Sequence, residues 1–177
     1  MVKKLGLFLG YSLFFISALI VFVPKSSLYF FMEHQIKPYG IVLSDETLQE
    51  HLLTLEVKHI HLNIQGVEGA KIERTKMMLL VVYNTIEAQN IELASMASSF
   101  LPLHIESAKV SYSIINPFIV TGDAKGAFGV AHAEFSLQKQ TLHVVVRPSK
   151  LMLQKYKTTL RELKKTQEGE YIYDVTL

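Results

Sequence analysis

Residues 52–66, LLTLEVKHIHLNIQG, decide the fold class. Apolar side chains stand at Leu53, Leu55 and Val57, every second position, which is the period of a half-buried strand and not the 3.6-residue period of a helix. The alternation resumes at Ile60, Leu62 and Ile64, displaced by one across Lys58–His59. A strand that kept its pleat through this point would turn its second half over, so a bulge or strand break is predicted there to keep one face buried.

The same texture extends outward over most of residues 41–147. KIERTKMMLLVVYN (71–84) ends in an apolar run from Met77 to Tyr83, the pattern of a central strand covered on both faces. TIEAQNIEL (85–93) slips phase again near Asn90. HIESAKVSYSIIN (104–116) and FIVTG (118–122) are split by Asn116–Pro117, and AFGVAHAEFSLQ (127–138) with TLHVVVR (141–147) reads as a hairpin through Lys139–Gln140. Successive strands with short links predict an antiparallel meander. SMASSFLP (95–102) reads as a short helix or covering loop. SKLMLQKYKTTLRELKKT (149–166) carries Met152, Tyr156, Leu160 and Leu163 on one helical stripe, with Ser149 as cap and Gly169 as stop. EYIYDVTL (170–177) reads as a last strand with Tyr171, Tyr173 and Val175 on one face.

The amino terminus has a different pattern. Residues 5–23, LGLFLGYSLFFISALIVFV, are 19 uncharged, mostly apolar positions; at a rise of about 1.5 Å each they match a hydrocarbon core of about 30 Å. Leu5, Phe8, Phe14, Phe15, Ile20 and Phe22 are the candidate membrane-anchoring side chains. Lys3 and Lys4 hold the amino terminus in the cytoplasm by the positive-inside bias and place the rest outside it. A removable signal would end in small residues, whereas IVFVPKSS (20–27) has Val21 and Val23 there, and a buried core helix would show a polar face that this run lacks. The expectation is a retained single-pass anchor in a bacterial inner membrane, with the carboxy-terminal domain in the periplasm. Pro24 suits the start of a new helix or a kink. Beyond it Leu28, Phe31, Met32 and Gln35–Ile36 recur at helical spacing, and Tyr29, Phe30 and Phe31 are placed at an interface. The alternative reading has these aromatics capping the core of the following domain. The organisation expected is therefore 1–24, cytoplasmic start and anchor; 25–40, amphipathic collar; and 41–177, extracytoplasmic antiparallel β domain.

Charge narrows the function. The 18 Lys and Arg exceed the 16 Asp and Glu only through Lys3 and Lys4, so the chain from Lys25 onward is neutral. A nucleic-acid partner needs a basic surplus to displace phosphate counterions, and none is expected. With no cysteine, disulfides, zinc-thiolate sites and thiol nucleophiles are excluded. His59-x-His61 places two imidazoles on one side of a strand, the sharpest metal candidate, but nothing ties His51, His104, His132 or His143 to it as further ligands. The simpler reading makes His59, His61 and Asn63 a polar strand face. GDAKGAFG (122–129) lacks the Gly-Lys-Ser/Thr order of a phosphate loop and reads as a glycine hairpin turn. No G-x-S-x-G and no distinctive carboxylate pair occurs. No catalytic residue, cofactor or resident metal is therefore assigned, and a non-enzymatic role is expected. Lys150, Lys155, Lys157, Arg161, Lys164 and Lys165 lie opposite the last apolar stripe, as on a solvated face or a membrane-surface helix.

Several strands are apolar at consecutive positions: Met77–Val82, Val144–Val146, and Ile114, Ile115, Phe118, Ile119 and Val120. A second face must then be covered, in part by residues 152–163 and 95–103. A residual apolar groove is expected, including Met78, Leu80, Val82, Ile119 and Val145 and open to a lipid chain or a partner's strand or helix, unless the sheet folds over and closes it.

A short cytoplasmic start, one apolar helix ending in FVP (22–24), an aromatic collar and strands with glycine-marked turns such as TGDAKGAFGVAHAEFSL (121–137) together resemble the GspN-type component of bacterial type II secretion and the wider AsmA-like group. The resemblance implies an inner-membrane anchor bearing a curved antiparallel sheet with an apolar concave face, and lipid carriage in the larger members. It brings no catalytic residue with it. The fold class expected is mainly β: a single N-terminal transmembrane helix followed by a curved antiparallel β-sheet domain with one or two short helices. This chain lacks the repeated modules of a bridge across the envelope. The function expected is a non-enzymatic, membrane-anchored periplasmic scaffold or accessory protein with protein partners in a secretion or pilus-like assembly. The alternative is lipid binding or transfer by a β groove.

Overall fold

A computed structural model describes residues 2–80 and 82–176; the side chains of Val2, Lys3 and Ile20 lie outside the described residues. Two helices, α1 (Val2–Phe22) and α2 (Lys25–Ile36), and a 3₁₀ turn (Lys37–Tyr39) precede the strands β1 (Ile41–Ser44), β2 (Thr47–Glu50), β3 (Thr54–Ile64), β4 (Val67–Leu79) and β5 (Tyr83–Leu93). A 3₁₀ turn (Ser95–Ser99) leads to β6 (His104–Ser113), β7 (Ile119–Gly126), β8 (Gly129–Ser136) and β9 (Thr141–Pro148). Two short helices, α3 (Lys150–Lys155) and α4 (Lys157–Arg161), then precede β10 (Lys164–Lys165) and β11 (Tyr171–Thr176). The strands form one curved antiparallel sheet, in which β3 to β9 run as a meander, β11 follows β9, and β1 and β2 share the flank of β3.

The slip at Lys58–His59 is real, and it crosses the sheet. His59 has left-handed backbone (φ 57°), so Val57 and Ile60, three positions apart, both point to the inner face and are buried. Lys58 faces Arg74 and Ile60 faces Ile72, which sets His59 opposite Glu73 with no ladder pair between them. The gap recurs at Asn90 (φ 52°), between the Arg74–Gln89 and Ile72–Ile91 pairs, and at Glu106, between Gln89–Ser107 and Ile91–Ile105. On the other side it separates β1 from β2 at Asp45 (φ 64°). From β3 to β6 the strands slip at one row, so the register on either side of it is preserved. At β6–β7 the register shifts between Ile105 and Ser107, and the row ends there.

The apolar run Met77–Tyr83 is not one continuous strand. β4 stops at Leu79, β5 begins at Tyr83, and the Leu80 N–H donates to the Tyr83 carbonyl at 3.2 Å. The last amphipathic segment is also divided, because Tyr156 leaves helical geometry (φ −118°, ψ 37°) between α3 and α4. Ser149 caps α3 as its position indicates, accepting from the Met152 N–H at 3.1 Å while donating to the Ala127 carbonyl at 2.7 Å. Gly169 (φ 85°) turns the chain between β10 and β11 and does not end a helix. In the 122–129 segment, β7 and β8 meet through Ala127–Phe128. Gly129 (φ 121°) fits there because a Cβ would lie 2.2 Å from the Arg147 carbonyl oxygen.

Two apolar cores hold the sheet's inner face. Tyr29 of α2 packs with Leu55, Val57, Ile60 and Met77. Met152 of α3 and Leu160 of α4 pack on Phe128, flanked by Leu101, Ile105, Ala124, Ala131 and Tyr171. Each fully buried side chain of this size contributes about 1.5–3 kcal/mol relative to exposure.

Among the described residues no helix is long and apolar enough to cross a membrane. The expected N-terminal span is thus not supported by the fold. What α1 does show is 21 residues of helix whose described side chains, apart from Ser12, Ala18 and Val21, are exposed.

Candidate functional site

The inner face is mostly apolar, with Thr75 and Asn84 as polar members of its rows. In one row, directly opposed across successive strands, stand Met77, Ile86, Val110, Gly122, Ala133, Val144 and Tyr173. The row on one side reads Thr75, Ala88, Ala108, Ala124, Ala131, Val146 and Tyr171. On the other side it reads Leu79, Asn84, Tyr112, Val120, Phe135, Leu142 and Val175. The opposite parity carries most of the charge, with Lys109, Asp123, His132, Glu134, His143 and Asp174.

Covers lie over only part of this face. α2 packs against β3 and β4, and α3 with α4 packs over the Ile105, Ala124, Ala131 and Tyr171 corner. Between and below them the face of β6 to β9 and β11 is open: Val110 is 48% exposed and Tyr173 43% exposed, and none of Tyr112, Gly122, Ala133, Phe135 or Val144 is buried. The floor there is low because Ala108, Gly122 and Ala133 are small. A Cβ on Gly122 would meet only an ordinary 3.6 Å contact with the Ala133 Cβ, so the backbone does not require glycine at this position. The result is a shallow, exposed apolar strip of the sheet, referred to below as the trough, with Tyr112 and Phe135 in the neighbouring row and Tyr173 at its β11 end. Two buried hydroxyls of the adjoining core, Tyr29 Oη and Thr75 Oγ1, have no hydrogen-bond partner among the described residues. Burial, with Glu46 and Glu33 nearby, pushes the Tyr29 hydroxyl pKa up.

The residues expected to line the groove lie elsewhere. Met78 faces Thr54 and Thr85, Ile119 faces Ser136, and Val145 faces His132 and Ile172, all on the outer parity. Leu80 and Val82 are at the β4–β5 turn. Where both parities of a strand are apolar, hydropathy cannot say which one faces inward, and the register settles it. Tyr29, expected at an interface beside Phe30 and Phe31, is buried against the sheet, while Phe30 and Phe31 are exposed. The stripe of α2 is Lys25, Leu28, Tyr29, Met32 and Ile36, rotated toward two residues with polar atoms that hydropathy counts as outward. Leu5, Phe8, Phe14, Phe15 and Phe22 of α1 are exposed.

The outer face neutralises itself through cross-strand pairs. His104 Nδ1 lies 2.6 Å from Glu92, His132 Nδ1 2.8 Å from Asp123, and His143 Nδ1 2.6 Å from Asp174, each between directly opposed residues. His59 and His61 border one depression with Glu73, Asn90, Glu92 and His104. Asn90 there donates to Glu73 at 2.6 Å, and His61 Nδ1 is 3.5 Å from Asp45. Among the described residues no group of three or more His, Asp or Glu is placed to hold a metal ion.

One polar joint fixes where α1 leaves the sheet. Glu50, at the end of β2, accepts the backbone N–H of Lys25 at 3.0 Å and the Ser26 hydroxyl at 2.8 Å, a carboxylate at the start of α2. These bonds, with the Ser26 N–H, hold its carboxyl below the usual range. The buried Lys25 ammonium donates to the Val21 and Val23 carbonyls at 3.4 and 3.1 Å, closing the end of α1. The apolar run thus stops at Pro24 because a second helix begins there, tied to the sheet.

No family model, no characterised protein and no solved structure matches the chain.

Proposed function

We propose that the protein holds an aliphatic chain of a lipid in the open trough of its inner face, while α1 keeps it at a bacterial inner membrane with the sheet on the periplasmic side. The observation that carries this reading is the run of directly opposed apolar residues from Val110 to Tyr173, with no element over it among the described residues and a floor of Ala and Gly. An extended acyl chain needs just such a long, shallow, uncharged surface. Supporting α1 as the anchor are its uncharged residues 5–22, about 27 Å at about 1.5 Å per residue, their exposed apolar surface, and the Lys3–Lys4 pair in its first turn.

A second reading, a scaffold in an envelope assembly, draws on a different observation. β10 pairs only with Tyr171 and Ile172, so the outer edge of β11 from Tyr173 to Thr176 is unpaired among the described residues and suits a partner's strand.

Native mass spectrometry of full-length protein extracted from membranes tests the first reading. The parent is expected to carry a lipid adduct, and Ala133→Leu, which raises the floor, to lose it with secondary structure unchanged. A parent with no adduct overturns lipid binding and favours the scaffold.

A further inference from the structure

We infer that the loop border of the sheet beside the α1 exit is a membrane-docking surface, seated in the interfacial layer of a phospholipid bilayer. The inference rests on α1 being the anchor, as proposed above.

Register places this border. Glu50 pairs with Leu55 near the start of β3, so the joint that holds Lys25 and the end of α1 sits at the end of the sheet where β4 finishes and β5 begins. The same end carries the β6–β7 and β8–β9 hairpins, because all these strands are antiparallel neighbours whose last inner-face row is shared: Leu79, Tyr112, Val120, Phe135 and Leu142. Beyond that row every connection presents exposed apolar side chains. Leu52 lies between β2 and β3, Val82 between β4 and β5, Ile115 (91% exposed) and Phe118 (57% exposed) between β6 and β7, and Leu137 between β8 and β9. Lys139 is the single formally charged residue in these connections.

These tips are tied to one another, so they move as one edge. The Ile114 N–H donates to the Val82 carbonyl at 3.1 Å, and the Leu137 N–H donates to the Phe118 carbonyl at 2.9 Å. An isoleucine left 91% exposed on a hydrogen-bonded edge has no role in the core. A row of such residues level with the end of an apolar helix matches the chemistry of an acyl–headgroup boundary, where apolar side chains settle about 5–10 Å deep. The trough opens along this same row, with Tyr112, Val120 and Phe135 as its last lining residues. A chain leaving the bilayer therefore meets the trough beside the apolar tips Ile115, Phe118 and Leu137. A second anchoring element beside α1 adds a further contact that orients the sheet on the bilayer.

The chain lacks cysteine, so single labels are unambiguous. Full-length Leu13→Cys, Ile115→Cys and Ser98→Cys proteins, each carrying an environment-sensitive fluorophore, would be reconstituted into phosphatidylcholine–phosphatidylglycerol vesicles containing lipid-borne nitroxide quenchers. Quenching at Leu13→Cys and Ile115→Cys, with Ile115→Cys answering best to headgroup-proximal nitroxides and Ser98→Cys to none, is the expected result. Quenching at Leu13→Cys with none at Ile115→Cys overturns the docking surface while leaving the anchor intact, and assigns the tips to a protein partner instead. Absence of quenching at both positions overturns the anchor and the docking surface together.

Discussion

His59 and Asn90 lie in one row of the sheet, two strands apart with Glu73 between them, and both hold left-handed backbone. Such geometry costs a non-glycine residue about 1–2 kcal/mol and a β-branched one more. His59 is exposed and contributes nothing to the core that the substitution would remove. His59→Gly is therefore expected to leave stability unchanged or raise it by up to about 1 kcal/mol, and His59→Val to lower it by about 1–2 kcal/mol. Equilibrium denaturation of the two variants checks this; equal stabilities would contradict the need for left-handed backbone.

The two parts of the inner face differ in cover, and a buried charge distinguishes them. Val57 is fully buried under α2, so Val57→Asp places an unpaired carboxylate in the core, costs several kcal/mol and unfolds the domain. Val110→Asp, at a half-exposed position over the trough, is expected to cost no more than about 1–1.5 kcal/mol. A folded Val110→Asp with a melting transition close to the parent's, together with loss of lipid adducts, is the anticipated pair of results; a Val110→Asp chain already unfolded before heating would show that the trough is closed.

What the sequence revealed follows the strength of its periodic signal. The slips at Lys58–His59 and near Asn90 are visible because each strand has one apolar parity on either side of the break. The matching slips at Glu73 and Glu106 are hidden, since Lys, Arg and Ser around them blur the alternation. The trough was legible as an apolar excess but not as a place. Val144, Val145 and Val146 are equivalent to hydropathy, and only pairing with Ala133 and His132 separates the inward residue from the outward one. Tyr29 and Lys25 are hardest to read, because Tyr29 is buried on strands distant in sequence and the Lys25 backbone is held by Glu50, 25 residues on, while its ammonium turns back to the end of α1.

The Glu50 joint makes the α1–α2 hinge sensitive to acid. Its carboxyl pKa is depressed in the folded chain, first by the Lys25 N–H. The joint's contribution is therefore complete above the ordinary carboxylate range and lost as pH falls through the folded value. Amide protection factors at residues 25–28, corrected for the intrinsic pH dependence of exchange, are expected to fall on acidification in the parent. In Glu50→Gln they should be low and unchanged with pH; pH-independent protection in the parent would contradict the joint.

His132 acts in the opposite sense. The bond to Asp123 raises its pKa, with Glu134 adding to the effect. Its contribution is present below the ordinary histidine value of about 6.5 and is lost as pH rises through the higher folded value. Asp123→Asn should thus lower stability more in mild acid than in mild alkali, and the His132 ring resonances should titrate above those of a model peptide. Both sites are surface-exposed, so the difference is small.

The most direct measurement of the account is photolabelling of the full-length protein in membranes with a diazirine-bearing fatty acyl lipid, followed by peptide mapping. The account predicts adducts on inner-face residues of β6, β9 and β11, around Val110, Val144 and Tyr173, and their loss in Val110→Asp. Adducts confined to α1 and the loop tips, or on outer-parity residues such as Met78 and Val145, or persisting unchanged in Val110→Asp, would contradict it.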